Sequence, residues 1–418
     1  MSKQFPVVFV HGFLGWGPDE VKSLPYWGEA ERADPLRGTP HAARFASVGP
    51  LSSYHDRACE LFYQIKGIAN CDYGAEHAAR FHHQRIVRRA PLARPYLEWD
   101  GRRPIHLVTH SQGAQTARML QHLLAQGNFF RDAHGEVIPT DAGWIRSITA
   151  ISAPLNGTTL LYHVGCDKSS GLVDPKKIDV LQTALQSLPL FGPLLAATVD
   201  YRFDLEQWHG PTCRRLCNLQ QALAHRPFIE SKDNAFYDLS LHGAFEWNHI
   251  LNEYADTYYF SYPTCQSFSF AGRSFPKPTM NPLLMAFTYE MGSHSFSSFA
   301  NLPGVAATRL NKKDWRPNDG IVPTFSQDYP KFPQPHPHKI PPDSASSFDT
   351  GIWNAMAHDM SDWDHLDVVM FPDAILPAAS PKDGLFSLPL HIKHGFPTSQ
   401  RERQYQFYTK LYRRLQAL

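Results

Sequence analysis

The sequence predicts an α/β chain with a mostly parallel central sheet flanked by helices. Short runs of β-branched and other apolar residues recur at 5–10, 104–108, 144–152 and 258–261. Stretches of helical spacing lie between them, as at 114–124, where Ala117, Leu120, Leu123 and Leu124 share one face. Strands that alternate with helices build a parallel sheet whose faces the helices cover. With 43% hydrophobic and 13% aromatic residues among 418, the chain can fill a large core. We read one domain, 1–418, carrying two insertions, at 52–85 and at about 170–245.

Taken in order, the 5–10 strand runs into His11-Gly12-Phe13-Leu14-Gly15-Trp16-Gly17. Three glycines after a strand suit close approach of the backbone to a ligand, and equally a tight turn. Residues 52–85 hold Asp56, His77, His82 and His83 with little apolar periodicity. The 104–108 strand leads through Thr109-His110-Ser111-Gln112-Gly113 into the 114–124 helix. A serine on a sharp strand-to-helix turn, with glycine two residues on, is the nucleophile elbow of α/β-hydrolases and predicts that fold here. Thr109 stands where the usual G-x-S-x-G has its first glycine. The 144–152 strand ends at Ala153-Pro154-Leu155-Asn156-Gly157. In 174–200, Ile178, Leu181, Leu185, Leu188, Phe191, Leu194 and Leu195 form an apolar stripe, the mark of an ordinary core-packing helix. After the 258–261 strand, Asp319-Gly320-Ile321-Val322-Pro323 opens a loop region, and 330–342 reads as a surface loop rich in proline and histidine. Tyr405, Tyr408, Leu411 and Leu415 predict a closing amphipathic helix over 400–418.

Composition narrows the function. A net charge of +1 offers no case for nucleic-acid binding. The 22 histidines are mostly neutral near pH 7, but charging them below their ordinary pKa of about 6.5 would make the chain strongly cationic. Cysteines 59, 71, 166, 213, 217 and 265 form no C-x-x-C pair, which argues against a zinc–thiolate site and leaves disulfides open. No apolar run reaches the ~18 residues of a membrane span. The strand begins too early to leave room for a signal peptide, so the expectation is a product not exported by that route, or a mature form with an added methionine.

A serine hydroxyl attacks only when a base takes its proton, so Ser111 calls for a histidine and for a carboxylate that fixes the imidazole. The chain order in this fold is serine, acid, histidine. Asp319, in Pro317-Asn318-Asp319-Gly320, is the best acid and equally good turn chemistry. His358 and His365 compete as the base. An acyl oxyanion needs two backbone N–H donors, here Gln112 after the nucleophile and Phe13 in the early glycine loop.

A set of motifs spread over nearly the whole chain carries a more specific signal: HGFLGWG (11–17), YWG (26–28), VGPLSS (48–53), DRACE (56–60), DYGAEHAA (72–79) and HSQGAQTARML (110–120), then APLNGTTL (153–160), YDLS (237–240), NDGIV (318–322) and DHLDV (364–368). In these the chain resembles the bacterial thermoalkalophilic lipases of subfamily I.5, the Geobacillus and staphylococcal type. The resemblance implies Ser111 as nucleophile, Asp319 as acid, His365 rather than His358 as base, and Phe13 and Gln112 as oxyanion donors. These lipases have alanine at the first elbow position, so a non-glycine there is a family trait. The resemblance also implies structural zinc on Asp56, His77, His83 and Asp238, with His82 as a spare donor, and four such ligands leave no open position for chemistry. It implies calcium at Thr279, Asp367 and Asp373, where Asp replaces the family's Glu and the Asp-Pro pair is reversed. The 174–200 stripe falls where these lipases carry a lid helix. The expected activity is triacylglycerol hydrolysis at an oil–water interface; the alternatives are a carboxylesterase for short soluble esters and a non-catalytic, zinc-stabilised binding protein.

Overall fold

The structure is a computed structural model that describes residues 5–18, 25–92, 94–187, 203–208, 219–297, 299, 302–306, 309–342, 345–356, 360–369 and 398–418. Among the described residues the central sheet has seven strands: β1 (Val7–Val10), β2 (Arg44–Ala46), β5 (Ile105–His110), β6 (Ile145–Ile151), β7 (Tyr258–Tyr262), β10 (His338–Lys339) and β11 (Trp353–Ala355). Their order is β10-β11-β7-β6-β5-β1-β2, and every neighbouring pair is parallel. Two antiparallel ribbons stand apart, β3 (Asn70–Asp72) with β4 (Ile86–Arg88), and β8 (Ser267–Phe270) with β9 (Arg273–Pro276).

The helices that matter below, in chain order, are α1 (Ala30–Ala33), α2 (Tyr54–Lys66), α3 (Ala75–Phe81), α4 (Gly113–Ala125), α5 (Leu161–Val164), α6 (Ile178–Ser187), α7 (Leu219–Ala224), α8 (Arg226–Ile229), α9 (Ala235–Leu239), α10 (Leu241–Asn248), α11 (Pro282–Gly292) and α12 (Thr398–Gln416). Side chains alternate across the pleat, so β1 feeds two cores. Val8 and Val10 pack with Leu107, Leu61 of α2 and Leu120 of α4. Val7 and Phe9 pack with Val108, Ile151 and the Tyr408, Leu411 and Leu415 side of α12. Both faces of the sheet are covered, which is why its strands read as unbroken apolar runs.

The 52–85 stretch shows why periodicity was weak there. From Tyr54 to Ile65 every residue of α2 is buried, including Asp56, Arg57 and Glu60, so no polar face exists to create a period. Its buried charges are answered locally: Arg57 donates to the carbonyls of Gly49 and His11 and to Thr116 Oγ1, and Glu60 pairs with Arg89 at 2.8 Å. At the other end of the chain, α12 grips the segment after His365. Gln404 Nε2 donates to the Asp367 carbonyl at 2.8 Å, and Tyr408 Oη donates to the Val368 carbonyl at 2.9 Å.

Candidate active site

The loops that carry Ser111, Asp319 and His365 meet at the carboxyl end of the sheet. Ser111 follows β5 with φ 54°, the left-handed region that a non-glycine residue occupies only when its surroundings hold it there. Two glycines make the turn possible. A Cβ on Gly113 would stand 2.3 Å from the Val10 carbonyl oxygen, and one on Gly12 would stand 2.7 Å from Ser111 Cβ. Thr109, odd in the sequence, is buried, and its hydroxyl donates to the Thr149 carbonyl on β6 at 2.8 Å. The branched side chain thus fills a gap between β5 and β6 with its polar atom satisfied.

His365 Nε2 stands 3.1 Å from Ser111 Oγ, and His365 Nδ1 stands 2.9 Å from Asp319 Oδ2. Asp319 is fully buried and saturated with donors. Its Oδ1 accepts from the Ile321 and Val322 N–H groups at 3.0 and 2.8 Å; its Oδ2 accepts from Thr264 Oγ1 and Gln327 Nε2 at 2.7 and 3.1 Å. Turn residue and acid are therefore one and the same: the turn's own amides hold the carboxylate in place and aimed at His365. The His365 N–H donates to the Asp319 carbonyl at 3.0 Å, tying the two loops at the backbone as well.

Behind His365 stand two groups that carried no sequence signal, His110 and Tyr26. His110 is buried, its Nε2 stands 3.0 Å from the His365 carbonyl and its Nδ1 stands 2.7 Å from Tyr26 Oη. A carbonyl only accepts, so Nε2 carries the proton and Nδ1 accepts from the tyrosine. Tyr26 Oη in turn accepts from the Gly12 N–H at 3.2 Å. Burial first, and the neighbouring His365 imidazole second, hold the His110 pKa well below the ordinary range, so it is a neutral spacer and not a second base. Thr264 and Gln327 were likewise missed, since nothing in their spacing distinguishes them from other loop residues.

Beside Ser111, Gly12 and Gly15 close a turn through the Gly15 N–H at 3.1 Å, and the Leu14 N–H donates to the Pro50 carbonyl at 3.1 Å. Among the described residues, the N–H groups of Phe13 and Gln112 have no hydrogen-bond partner. Gln112 caps the N-terminus of α4, where the helix dipole favours negative charge, and its side chain is anchored to the Ser52 carbonyl at 2.9 Å.

A second cluster joins α2, α3 and the loop before α9. Asp56, His77, His83 and Asp233 bring one donor atom each within 4.8 Å of one another, a set that can hold a metal ion. His77 Nε2 lies 3.3 Å from Asp56 Oδ1 and 3.1 Å from Asp233 Oδ1, and His83 Nε2 lies 3.2 Å from Asp233 Oδ2. Despite those distances, His77 Nε2, His83 Nε2 and Asp233 Oδ2 are buried without a hydrogen bond, as donors aimed at a shared point would be. His77 and His83 are six apart, so one straight helix would not put them on one face, and the chain bends between them at His82, in left-handed conformation at the end of α3. Asp56 Oδ2 is held by Gln207 Nε2 at 2.8 Å.

The expectation for Asp238 is corrected. Its Oδ2 accepts from the Tyr54 N–H and its Oδ1 from Trp247 Nε1, both at 2.6 Å, and burial pushes its carboxyl well above the ordinary carboxylate range. Asp238 staples α9 to α2 and α10, and Asp233 faces the histidines instead. Of the calcium set, Asp373 lies outside the described residues, as does the rival base His358. Thr279 is exposed, with its hydroxyl accepting from Gln266 at 3.2 Å. Asp367 Oδ2 accepts from the Asp364 N–H at 2.8 Å and Oδ1 from Gln400 Nε2 at 2.9 Å; burial, then repulsion from Asp364, pushes its carboxyl up to about 8. Of the apolar stripe, Ile178, Leu181 and Leu185 lie on α6, with Leu181 and Leu185 buried, while Leu188, Phe191, Leu194 and Leu195 lie outside the described residues.

A groove of about 750 Å³ opens beneath Phe5, Tyr96, Trp99 and Ile105, at the end of β5 opposite Ser111, and holds none of these groups.

The chain is 30% identical to Lipase 2 of Staphylococcus aureus over 382 residues, 88% of this chain and 50% of that one. It thus spans about half the length of the curated relatives it matches. Among solved structures, EstA from Clostridium botulinum is similar with TM-score 0.72 and 28% identity, covering 100% of this chain and 88% of that one. Lipase 1 from Pelosinus fermentans is similar with TM-score 0.65 and 31% identity, covering 88% of this chain and 93% of that one. Residues 3–375 match the family described as lipase-like, C-terminal domain, and the chain belongs to that family.

Proposed function

We propose that this protein is a triacylglycerol lipase of the α/β-hydrolase fold that cleaves long-chain carboxylic esters through an acyl-enzyme on Ser111. The observation that carries the reading is the unbroken hydrogen-bonded series from Ser111 Oγ through His365 to Asp319, at 3.1 and 2.9 Å. His365 Nε2 takes the hydroxyl proton as Ser111 Oγ attacks the ester carbonyl, and Asp319 stabilises the imidazolium. The Phe13 and Gln112 N–H groups receive the oxyanion. His365 then returns the proton to the departing alcohol, and water, deprotonated by the same nitrogen, releases the fatty acid and frees Ser111. In this reading α6 opens the lid, and the inserted segments at 52–85 and 170–245 hold the metal cluster. Asp56, His77, His83 and Asp233 would hold a structural zinc ion, two nitrogens and two oxygens being a donor set that suits zinc, and the bound ion would tie α2 and α3 to the loop before α9. Calcium is not part of the proposal: Asp373 lies outside the described residues, which leaves Asp367 as the set's one described carboxylate.

The test is hydrolysis of p-nitrophenyl esters and triglycerides of increasing chain length by the wild type and Ser111→Ala. A rate that climbs above the solubility limit of a triglyceride, and a loss of at least about 10³-fold in the folded variant, are expected. Substantial turnover by a folded Ser111→Ala protein would refute the nucleophile. Activity confined to short soluble esters would point to a carboxylesterase instead.

A further inference from the structure

An amphipathic surface helix turns charged residues to water, and α11 does not. Leu284, Thr288 and Met291 form its buried stripe, while Pro282, Leu283, Ala286, Tyr289 and Glu290 face outward, with a single charge among them. The β8–β9 hairpin continues this surface. Ala271 and Gly272 both have positive φ, the two-residue turn that matches strand twist, so the hairpin tip is stiff. Phe268 and Phe270 stand two residues apart on β8, hence on one side of the ribbon, and are 47% and 68% exposed. The rings run on from Phe268 to Phe275 at 5.9 Å and from Phe275 to Tyr289 at 6.0 Å, joining hairpin to helix. Exposed apolar area that is contiguous, unlike scattered single residues, marks a contact surface.

Charge and position identify the occupant. Residues 267–292 together with 309–316 carry six cations against two carboxylates, and one of the six, Lys277, is paired with Asp362. Arg316 bonds the Gly272 carbonyl at the hairpin turn, and Arg273 is exposed beside Phe270. Aromatic and aliphatic side chains rimmed by cations suit the boundary of an anionic lipid layer. The same helix braces the catalytic loops. The Thr288 carbonyl accepts from Asn318 Nδ2 at 3.2 Å, Leu284 packs on Gly320, and the Asn281 N–H donates to Asp364 Oδ2 at 2.8 Å.

We infer that the outward face of α11 and the β8–β9 tip form a fixed docking surface for an anionic lipid–water interface, which sets the loops of Asp319 and His365 at that boundary. The inference rests on the lipid-ester reading of the site. It predicts membrane contact that needs no lid movement.

The test is vesicle flotation with dialkyl-ether phosphatidylcholine, with and without ether phosphatidylglycerol, so that no lipid is consumed. The wild type should float more with the anionic vesicles. Phe268→Ser with Phe270→Ser, and separately Leu283→Gln with Tyr289→Gln, should each lower partitioning at least about tenfold, while Arg273→Glu should erase part of the anionic preference. Hydrolysis of p-nitrophenyl butyrate in vesicle-free solution should stay at the wild-type rate in all three. Unchanged flotation of folded variants would overturn the inference, as would a wild-type dimer that the same substitutions dissociate. A wild type that floats but hydrolyses no ester would refute the catalytic reading and not the surface.

Discussion

Removing one oxygen atom from Tyr26 tests the support beneath His365. In Tyr26→Phe the ring stays in its buried place, but two groups lose their partner: the Gly12 N–H, which donates to Oη at 3.2 Å, and His110 Nδ1, which accepts from it at 2.7 Å. Tyr26 is 5% and His110 2% exposed, so bulk water does not reach either group. An unsatisfied buried donor or acceptor costs about 1–3 kcal/mol, and two together should cost roughly 2–4 kcal/mol because one hydroxyl served both. Unfolding entropy scales with length at about 2.1 cal/mol/K per residue, so this loss should lower Tm by roughly 2–5 °C in a chain of this size. Urea denaturation gives the stability and p-nitrophenyl ester kinetics the function. Since His110 holds the His365 carbonyl and Gly12 lies beside Ser111, kcat should fall by about tenfold with KM nearly constant. A variant within about 0.5 kcal/mol of wild type and with full kcat would show that the hydroxyl carries no load, and the positioning role of His110 would fall with it.

Three other outcomes follow from the geometry. Asp233→Asn should lose most bound zinc by elemental analysis, whereas Asp238→Asn should keep close to one equivalent while melting lower; the reverse pattern would restore Asp238 as ligand. Burial, helped by nearby cationic partners, lowers His11, His106 and His294 to about 3 from an ordinary 6.5. Between those values the unfolded chain binds protons that the folded chain refuses, so stability is complete above about pH 6.5 and falls as pH drops towards 3, by up to about 1.4 kcal/mol per pH unit for each histidine. Urea midpoints that stay level down to about pH 5 would contradict this. Finally, calcium added after treatment with a calcium-selective chelator should leave Tm unmoved; a clear rise would return calcium to the Asp367 region.

What could be read from the residues was whatever chemistry ties to a local pattern. Ser111 was visible because the elbow needs strand, serine and glycine in a row, and Gly113 proves indispensable for the reason given: its Cβ would collide with β1. The strands were visible because a sheet covered on both faces leaves continuous apolar runs. The buried helix α2 escaped because it has no wet face. Tyr26 and His110 escaped because their partners lie 84 and 255 positions away along the chain. The cluster that could hold a metal was partly legible. Three of its residues came from the family pattern, but two aspartates five residues apart look alike until one is seen bonded to an indole and a backbone amide.

The grip of α12 on the segment after His365 has a consequence for synthesis. A ribosome releases Ser111 and Asp319 long before Gln404 and Tyr408, so a nascent chain holds a finished elbow and acid turn while the segment after His365 still lacks these two bonds. Hydrolytic competence should therefore rise when α12 docks on that segment, and a chain cut before Gln404 should hydrolyse esters more slowly than the full one.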